Sequence, residues 1–181
     1  MNLANKITLF RILLIPIFMI ILLLDIPNGR YIATFIFALA AFTDSLDGYI
    51  ARSRNQVTNF GKFMDPLADK LLVSTALISL IELGKVPAWV VIIIIAREFA
   101  ITGLRTIAAS EGTTIAASPL GKFKTITQLV AIIALLLDNY PFSLVNFPFD
   151  MVMLYISLIF TVISGVDYFY RNKDVFRSGN R

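Results

Sequence analysis

Strongly apolar runs centre on residues 12–24, 31–43, 71–81, 86–96, 126–137 and 151–166. Most are shorter than the roughly 20 residues that an α-helix needs to cross the hydrocarbon of a bilayer. Each span must therefore recruit flanking residues, and those flanks are polar. Membrane helices are expected at about 8–25, 31–53, 63–83, 87–109, 119–138 and 150–170, with boundaries uncertain by about two to four residues. No Gly/Ser linker, repeat or low-complexity tract separates the runs, so the 181 residues are expected to form one domain. The expected fold is all-α: a polytopic bundle of six transmembrane helices.

Charge in the short connections alternates. Lys6 and Arg11, then Arg52, Arg54 and Lys62, then Arg105, Lys122 and Lys124, then Arg171, Lys173, Arg177 and Arg181 fall on one side, against Arg30 and Lys85 on the other. The bias of Lys and Arg toward the cytoplasm puts both termini there. It also accounts for the net charge of +4 without a nucleic-acid partner. Tyr140, Tyr168 and Tyr170 suit the membrane interface, where aromatic rings gather. The N-terminal run lacks a small-residue cleavage site and reads as a retained first helix.

Composition narrows the chemistry. Hydrophobic residues make up 57% of the chain, and there is no Cys and no His. A thiolate nucleophile, a disulfide and an imidazole base are excluded. Any resident metal must accept oxygen ligands, which selects hard divalent cations.

The polar intrusions all fall toward the cytoplasmic side: Asp44 and Asp47 in the second span, Asp65 and Asp69 in the third, Arg97, Glu98 and Arg105 in the fourth, Lys122 and Lys124 opening the fifth. Charges in a bilayer are costly and normally face a polar interior. One cytoplasm-facing polar cavity within the six helices is expected. In a helix, Asp44, Asp47, Gly48, Ala51 and Arg52 share a sector roughly 140° wide. Two small residues there let a ligand or a helix approach the backbone. Gly61, Asp65 and Asp69 recur every fourth residue, although Pro66 predicts that the third helix begins or kinks near it. Four converging carboxylates repel one another unless a cation intervenes. Two divalent ions about 4 Å apart are a common device for phosphoryl transfer. Arg52 can grip a phosphate with two hydrogen bonds.

The stretch DSLDGYIARSRNQVTNFGKFMDPLADK resembles the signature of the CDP-alcohol phosphotransferase family, DxxDGxxARx8GxxxDxxxD, and matches every defining position. The stretches NKITLFRILLIP, FMDPLADKLL, IAREFAITGLR and LGKFKT are similar to the branch of that family that forms phosphatidylglycerophosphate. The resemblance implies an enzyme that moves the phosphatidyl group of CDP-diacylglycerol to sn-glycerol 3-phosphate and releases CMP. It implies two divalent cations, Mg²⁺ or Mn²⁺, on Asp44, Asp47 and Asp65 with Asp69 near them, and Asp69 as the base. It assigns Gly48, Ala51, Arg52, Thr58 and Gly61 to CDP-diacylglycerol, with Asn5 and Thr8 beside the nucleotide. It also implies a homodimer in a bacterial plasma membrane, in contact with membrane lipid. The acceptor's phosphate requires cations, for which Arg97, Arg105, Lys122 and Lys124 are the candidates. Glu98 is expected to pair with one of the arginines.

Competing readings are a sibling enzyme using inositol phosphate, serine or phosphatidylglycerol, a membrane prenyltransferase, and a divalent-cation transporter. The basic acceptor residues disfavour serine. The Gly48, Ala51 and Arg52 positions and the short spacer before Gly61 disfavour the prenyltransferase. An apolar outer half disfavours transport.

Overall fold

The computed structural model describes residues 3–24, 26–53, 59–110, 115 and 118–172, with the side chains of 3–5, 44–53 and 59–63 left out of the description. Thr58 lies outside the described residues, as do the side chains of Asn5, Asp44, Asp47, Ala51 and Arg52. Among the described residues the chain is all-helical. Its helices are α1 (Leu3–Leu23), α2 (Gly29–Ser53), α3 (Asn59–Glu82), α4 (Ala88–Ser110), α5 (Pro119–Leu136) and α6 (Phe149–Arg171), with a 3-10 turn at Phe142–Val145.

Helix order and number agree with the hydropathy reading. The largest differences are at two N-termini: α1 starts at Leu3 and α3 at Asn59, each a turn or so before the expected span. Hydropathy marks where lipid would begin, whereas the backbone ladder continues through polar flanks while hydrogen-bond partners remain. The helix α3 also runs through Pro66 without ending. Of the two expectations at Pro66, the helix start is not met, because α3 already begins at Asn59, one turn and more before the proline.

Residues Met1–Val86 form one compact unit and Pro87–Arg181 another. In the first, α1 packs on α2 and α3, and α2 packs on α3. The face of α1 that enters this packing is a single stripe of Thr8, Arg11, Ile15, Phe18 and Leu22, all buried, spaced by three or four residues as one helix face requires. The opposite face carries Leu9, Phe10, Leu13, Ile17 and Ile20, apolar yet exposed. A helix apolar on both sides suits a lipid neighbour. Ala33, Phe37 and Ala40 of α2 and Ala68, Leu72, Ala76 and Leu80 of α3 complete the core. The alanines allow close approach of the backbones, and Phe18 meets Phe37 with ring centroids 5.8 Å apart.

Glycine shapes the turn before α2 and the turn after α3. Between α1 and α2 a Cβ on Gly29 would lie 3.1 Å from the Ile21 carbonyl oxygen, too close for a rigid backbone atom. After α3 the Gly84 N–H donates to Ile81 O and the Lys85 N–H to Leu80 O, with Gly84 at φ +67°. These bonds cap the last carbonyls of the helix in the paired pattern that a left-handed residue permits.

In the second unit α6 packs on both α5 and α4. Pro119 opens α5 and the Ser118 hydroxyl accepts the Gly121 N–H at 3.1 Å, so one orphan donor is capped. The buried face of α6 is Leu154, Ser157, Leu158, Thr161, Ser164, Gly165 and Tyr168. Its hydroxyls return to their own helix: Ser157 donates to Leu154 O at 2.8 Å and Thr161 to Ser157 O at 2.7 Å. The small hydroxyls of the stripe are therefore satisfied within their own helix, which suits tight packing between helices.

Lys6–Leu23, Pro119–Leu136 and Phe149–Arg171 are long and apolar enough to cross a membrane, and Gly29–Thr43 is a shorter apolar segment. Tyr140 and Tyr170 are exposed, as interfacial tyrosines would be. Tyr168 is not: it is buried with Ile101 and Leu104 of α4, because its position on α6 falls on the packed stripe.

Candidate active site

Two aspartate carboxylates of the first unit stand on α3. Asp65 and Asp69 lie one turn apart on a continuous helix, separated by about 6 Å along the axis. Both are partly buried. Thr8 is 1% exposed and its Oγ1 donates to Asp65 Oδ1 at 2.6 Å. A short bond to a charged acceptor is stronger than a neutral one. It fixes the rotation of the Asp65 carboxylate from a helix 57 residues away in sequence. Thr8, expected beside the nucleotide, is thus seen first as a support for an aspartate.

Asp44, Asp47, Gly48, Ala51 and Arg52 fall on helical backbone of α2, and Gly61 on α3. Asn5 falls on the first turns of α1. Arg11, one turn beyond Thr8, is fully buried. By sequence it counted as one more cytoplasmic charge. Its spacing from Thr8 was the available signal that it belongs to the packed stripe.

The second unit holds the cations. Lys124 is 4% exposed, and its Nζ donates to Glu98 Oε1 at 2.5 Å. Arg97 donates through Nη1 to the same Glu98 oxygen at 2.9 Å and through Nη2 to Ser164 Oγ at 2.9 Å. One carboxylate oxygen therefore joins a guanidinium of α4 to an ammonium of α5, and the guanidinium reaches on to α6. Arg97 also borders a groove of about 700 Å³ lined by Ile93, Ala96, Ala100, Thr161 and Gly165.

The four expected acceptor cations thus separate. Arg97 and Lys124 are brought together. Arg105 and Lys122 are exposed, and Arg105 donates at 3.4 Å to the Ile115 carbonyl. The expected pairing of Glu98 with an arginine is present. Its second partner, Lys124, was not anticipated, nor was Ser164. Gln128, one turn beyond Lys124, is 2% exposed and both its amide atoms lack a hydrogen-bond partner among the described residues.

The family model for CDP-alcohol phosphatidyltransferases matches residues 1–163. The chain is 52% identical to a CDP-diacylglycerol–glycerol-3-phosphate 3-phosphatidyltransferase of Bacillus subtilis, over 99% of both chains. An enzyme of the same name from Rickettsia bellii is 37% identical over 97% of both. A probable phosphatidylglycerophosphate synthase of Mycobacterium tuberculosis is 41% identical over 92% of this chain and 79% of its own. A match of this extent, carried by a chain whose eight signature positions all stand at the required spacing, means that the protein belongs to the CDP-alcohol phosphatidyltransferase family.

Proposed function

We propose that the protein is a membrane enzyme that transfers the phosphatidyl group of CDP-diacylglycerol to sn-glycerol 3-phosphate, giving phosphatidylglycerophosphate and CMP. The observation that carries this reading is the full-length likeness to the Bacillus subtilis enzyme of that name. The cation pair of Arg97 and Lys124 supports a phosphorylated acceptor.

In this reading the six helices form one membrane domain with both termini in the cytoplasm of a bacterial cell, and a polar cavity opens to that side. The enzyme works as a homodimer in the plasma membrane. The acyl chains stay in lipid while the CDP headgroup enters the cavity.

Asp44, Asp47, Asp65 and Asp69 would hold two divalent cations, Mg²⁺ or Mn²⁺. The donor set fits. It offers carboxylate oxygens in a chain without His or Cys, and Thr8 fixes the rotation of Asp65. When bound, such ions neutralise charge on the pyrophosphate and on departing CMP. The residues themselves do the rest. Gly48, Ala51 and Gly61 leave room for CDP against the backbones of α2 and α3, where Arg52 and Thr58 contact the CDP moiety and Asn5 and Thr8 line the nucleotide site. Arg97 and Lys124 hold the phosphate of glycerol 3-phosphate, with Arg105 and Lys122 drawing the anion in from solvent. Asp69 orients the acceptor hydroxyl and takes its proton. The hydroxyl oxygen forms a bond to the phosphorus that bears diacylglycerol. The bond from that phosphorus to the bridging oxygen breaks, and CMP leaves with that oxygen.

The test is CMP release by purified protein in detergent micelles with CDP-diacylglycerol and Mg²⁺. Glycerol 3-phosphate, inositol phosphate, serine and phosphatidylglycerol are offered separately. Release with glycerol 3-phosphate alone is expected. Release with another acceptor would keep the family and overturn the acceptor. Leakage of Mn²⁺ into proteoliposomes without CMP release would favour a transporter.

A further inference from the structure

Glu98 sits at the centre of the second unit's charge cluster. Its Oε1 receives the Arg97 Nη1–H at 2.9 Å and the Lys124 Nζ–H at 2.5 Å. The three side chains are 15%, 21% and 5% exposed for Arg97, Glu98 and Lys124. Two cations this poorly hydrated repel each other when left alone, and an uncompensated buried charge is strongly destabilising. A carboxylate between them removes both penalties. It also does something a distant counter-ion would not. Because both nitrogens reach one oxygen, they stand close enough to share a second oxyanion of similar size.

The seating of Arg97 continues on α6. Ser164 Oγ accepts its Nη2–H, and Gly165 makes room for its stem: a Cβ there would lie 3.2 Å from Arg97 Cγ. Arg97 Nε, though buried, has no hydrogen-bond partner among the described residues. The guanidinium is thus held by two of its nitrogens with donor capacity remaining. The cluster of Arg97, Lys124 and Glu98 carries a net positive charge, suited to an anion and poorly suited to a neutral alcohol.

We infer that Glu98 is a positioning and specificity-determining residue: it clamps Arg97 and Lys124 at the spacing of one phosphate group, with Ser164 and Gly165 seating the guanidinium. The inference rests on the proposal that Arg97 and Lys124 receive the acceptor's phosphate, and the experiment keeps the two apart.

Steady-state kinetics of the full-length enzyme in mixed micelles would be measured with each substrate varied, beside isothermal titration with glycerol 3-phosphate and with inorganic phosphate. Arg97→Ala and Lys124→Ala test the acceptor proposal; each is expected to raise KM for glycerol 3-phosphate at least about tenfold. Glu98→Gln tests the clamp. It is expected to raise the same KM about tenfold, to leave KM for CDP-diacylglycerol within about twofold, and to weaken phosphate binding in the titration. Glu98→Asp, which keeps the charge, is expected to recover part of the loss. Gly165→Ala should raise KM for glycerol 3-phosphate about threefold by shifting the Arg97 stem.

If Arg97→Ala and Lys124→Ala raise KM while Glu98→Gln leaves it unchanged or lowers it, the clamp is overturned and the acceptor proposal stands. If the two cation variants leave KM unchanged, the acceptor proposal fails and the clamp falls with it. A Glu98→Gln enzyme that loses kcat and thermal midpoint with both KM values unmoved would make Glu98 a helix pin only, which also overturns the inference. Should Glu98→Gln not fold, Ser164→Ala carries the same test, with a rise of about threefold in KM for glycerol 3-phosphate expected and no change overturning it.

Discussion

The two units build their buried faces differently. In Met1–Val86 the packed stripe of α1 is polar at Thr8 and Arg11 and apolar from Ile15 to Leu22. The stripe of α6 in Pro87–Arg181 keeps small hydroxyl residues along much of its length, from Ser157 to Ser164. The first unit closes with aromatic and aliphatic volume, Phe18 against Phe37. The second closes by bringing backbones together over Ser, Thr and Gly. The acidic signature belongs to the first unit and the bridged cations to the second. Carboxylates that would bind a cation need an oriented oxygen, which one hydroxyl provides. Cations that would bind an anion need to be kept apart and yet together, which takes a carboxylate.

The comparison can be broken at several points. The largest effect is expected from Asp69→Asn, which should lower CMP release by about a thousandfold while the protein still binds CDP-diacylglycerol. A loss of less than tenfold would remove Asp69 as the base. Phe18→Ala should destabilise the first unit by about 3 kcal/mol, seen as a lowered thermal midpoint in micelles. No change would mean that its contact with Phe37 contributes little. Thr8→Val keeps the shape and deletes the bond to Asp65. It is expected to cost about tenfold in kcat and to shift the cation requirement upward, with Thr8→Ser close to wild type. The smallest effect is reserved for Gln128→Leu. Its amide is buried without a partner among the described residues, so an apolar side chain of similar size should be neutral or raise stability by about 1 kcal/mol, read from the same melts. A marked loss of activity would show instead that the amide contacts substrate.

Gln128 and Lys124 also show where reading the sequence stopped. Both lie four residues apart on the start of α5, and Lys124 looked like either a loop charge or a ligand for phosphate. Burial decides that it is no loop charge. Tyr168 adds a second case: an aromatic near a helix end suggests the interface, and only the structure shows that its ring lies on the packed face of α6. Pro66 suggests a helix start by sequence, whereas α3 begins at Asn59 and includes it.

The sequence by itself determined the helices, because apolar runs and flanking charge report the cost of moving each residue into lipid. It determined that Asp65 and Asp69 stand one turn apart, because an α-helix converts a spacing of four into a shared face. The bond from Thr8 to Asp65 and the bridge from Arg97 through Glu98 to Lys124 were decided only by tertiary structure. Helical periodicity fixes what lies a turn away on the same helix, but carries no information about which residue of another helix lies across from it. That depends on how each pair of helices packs, and on the rotation each adopts to bury its stripe.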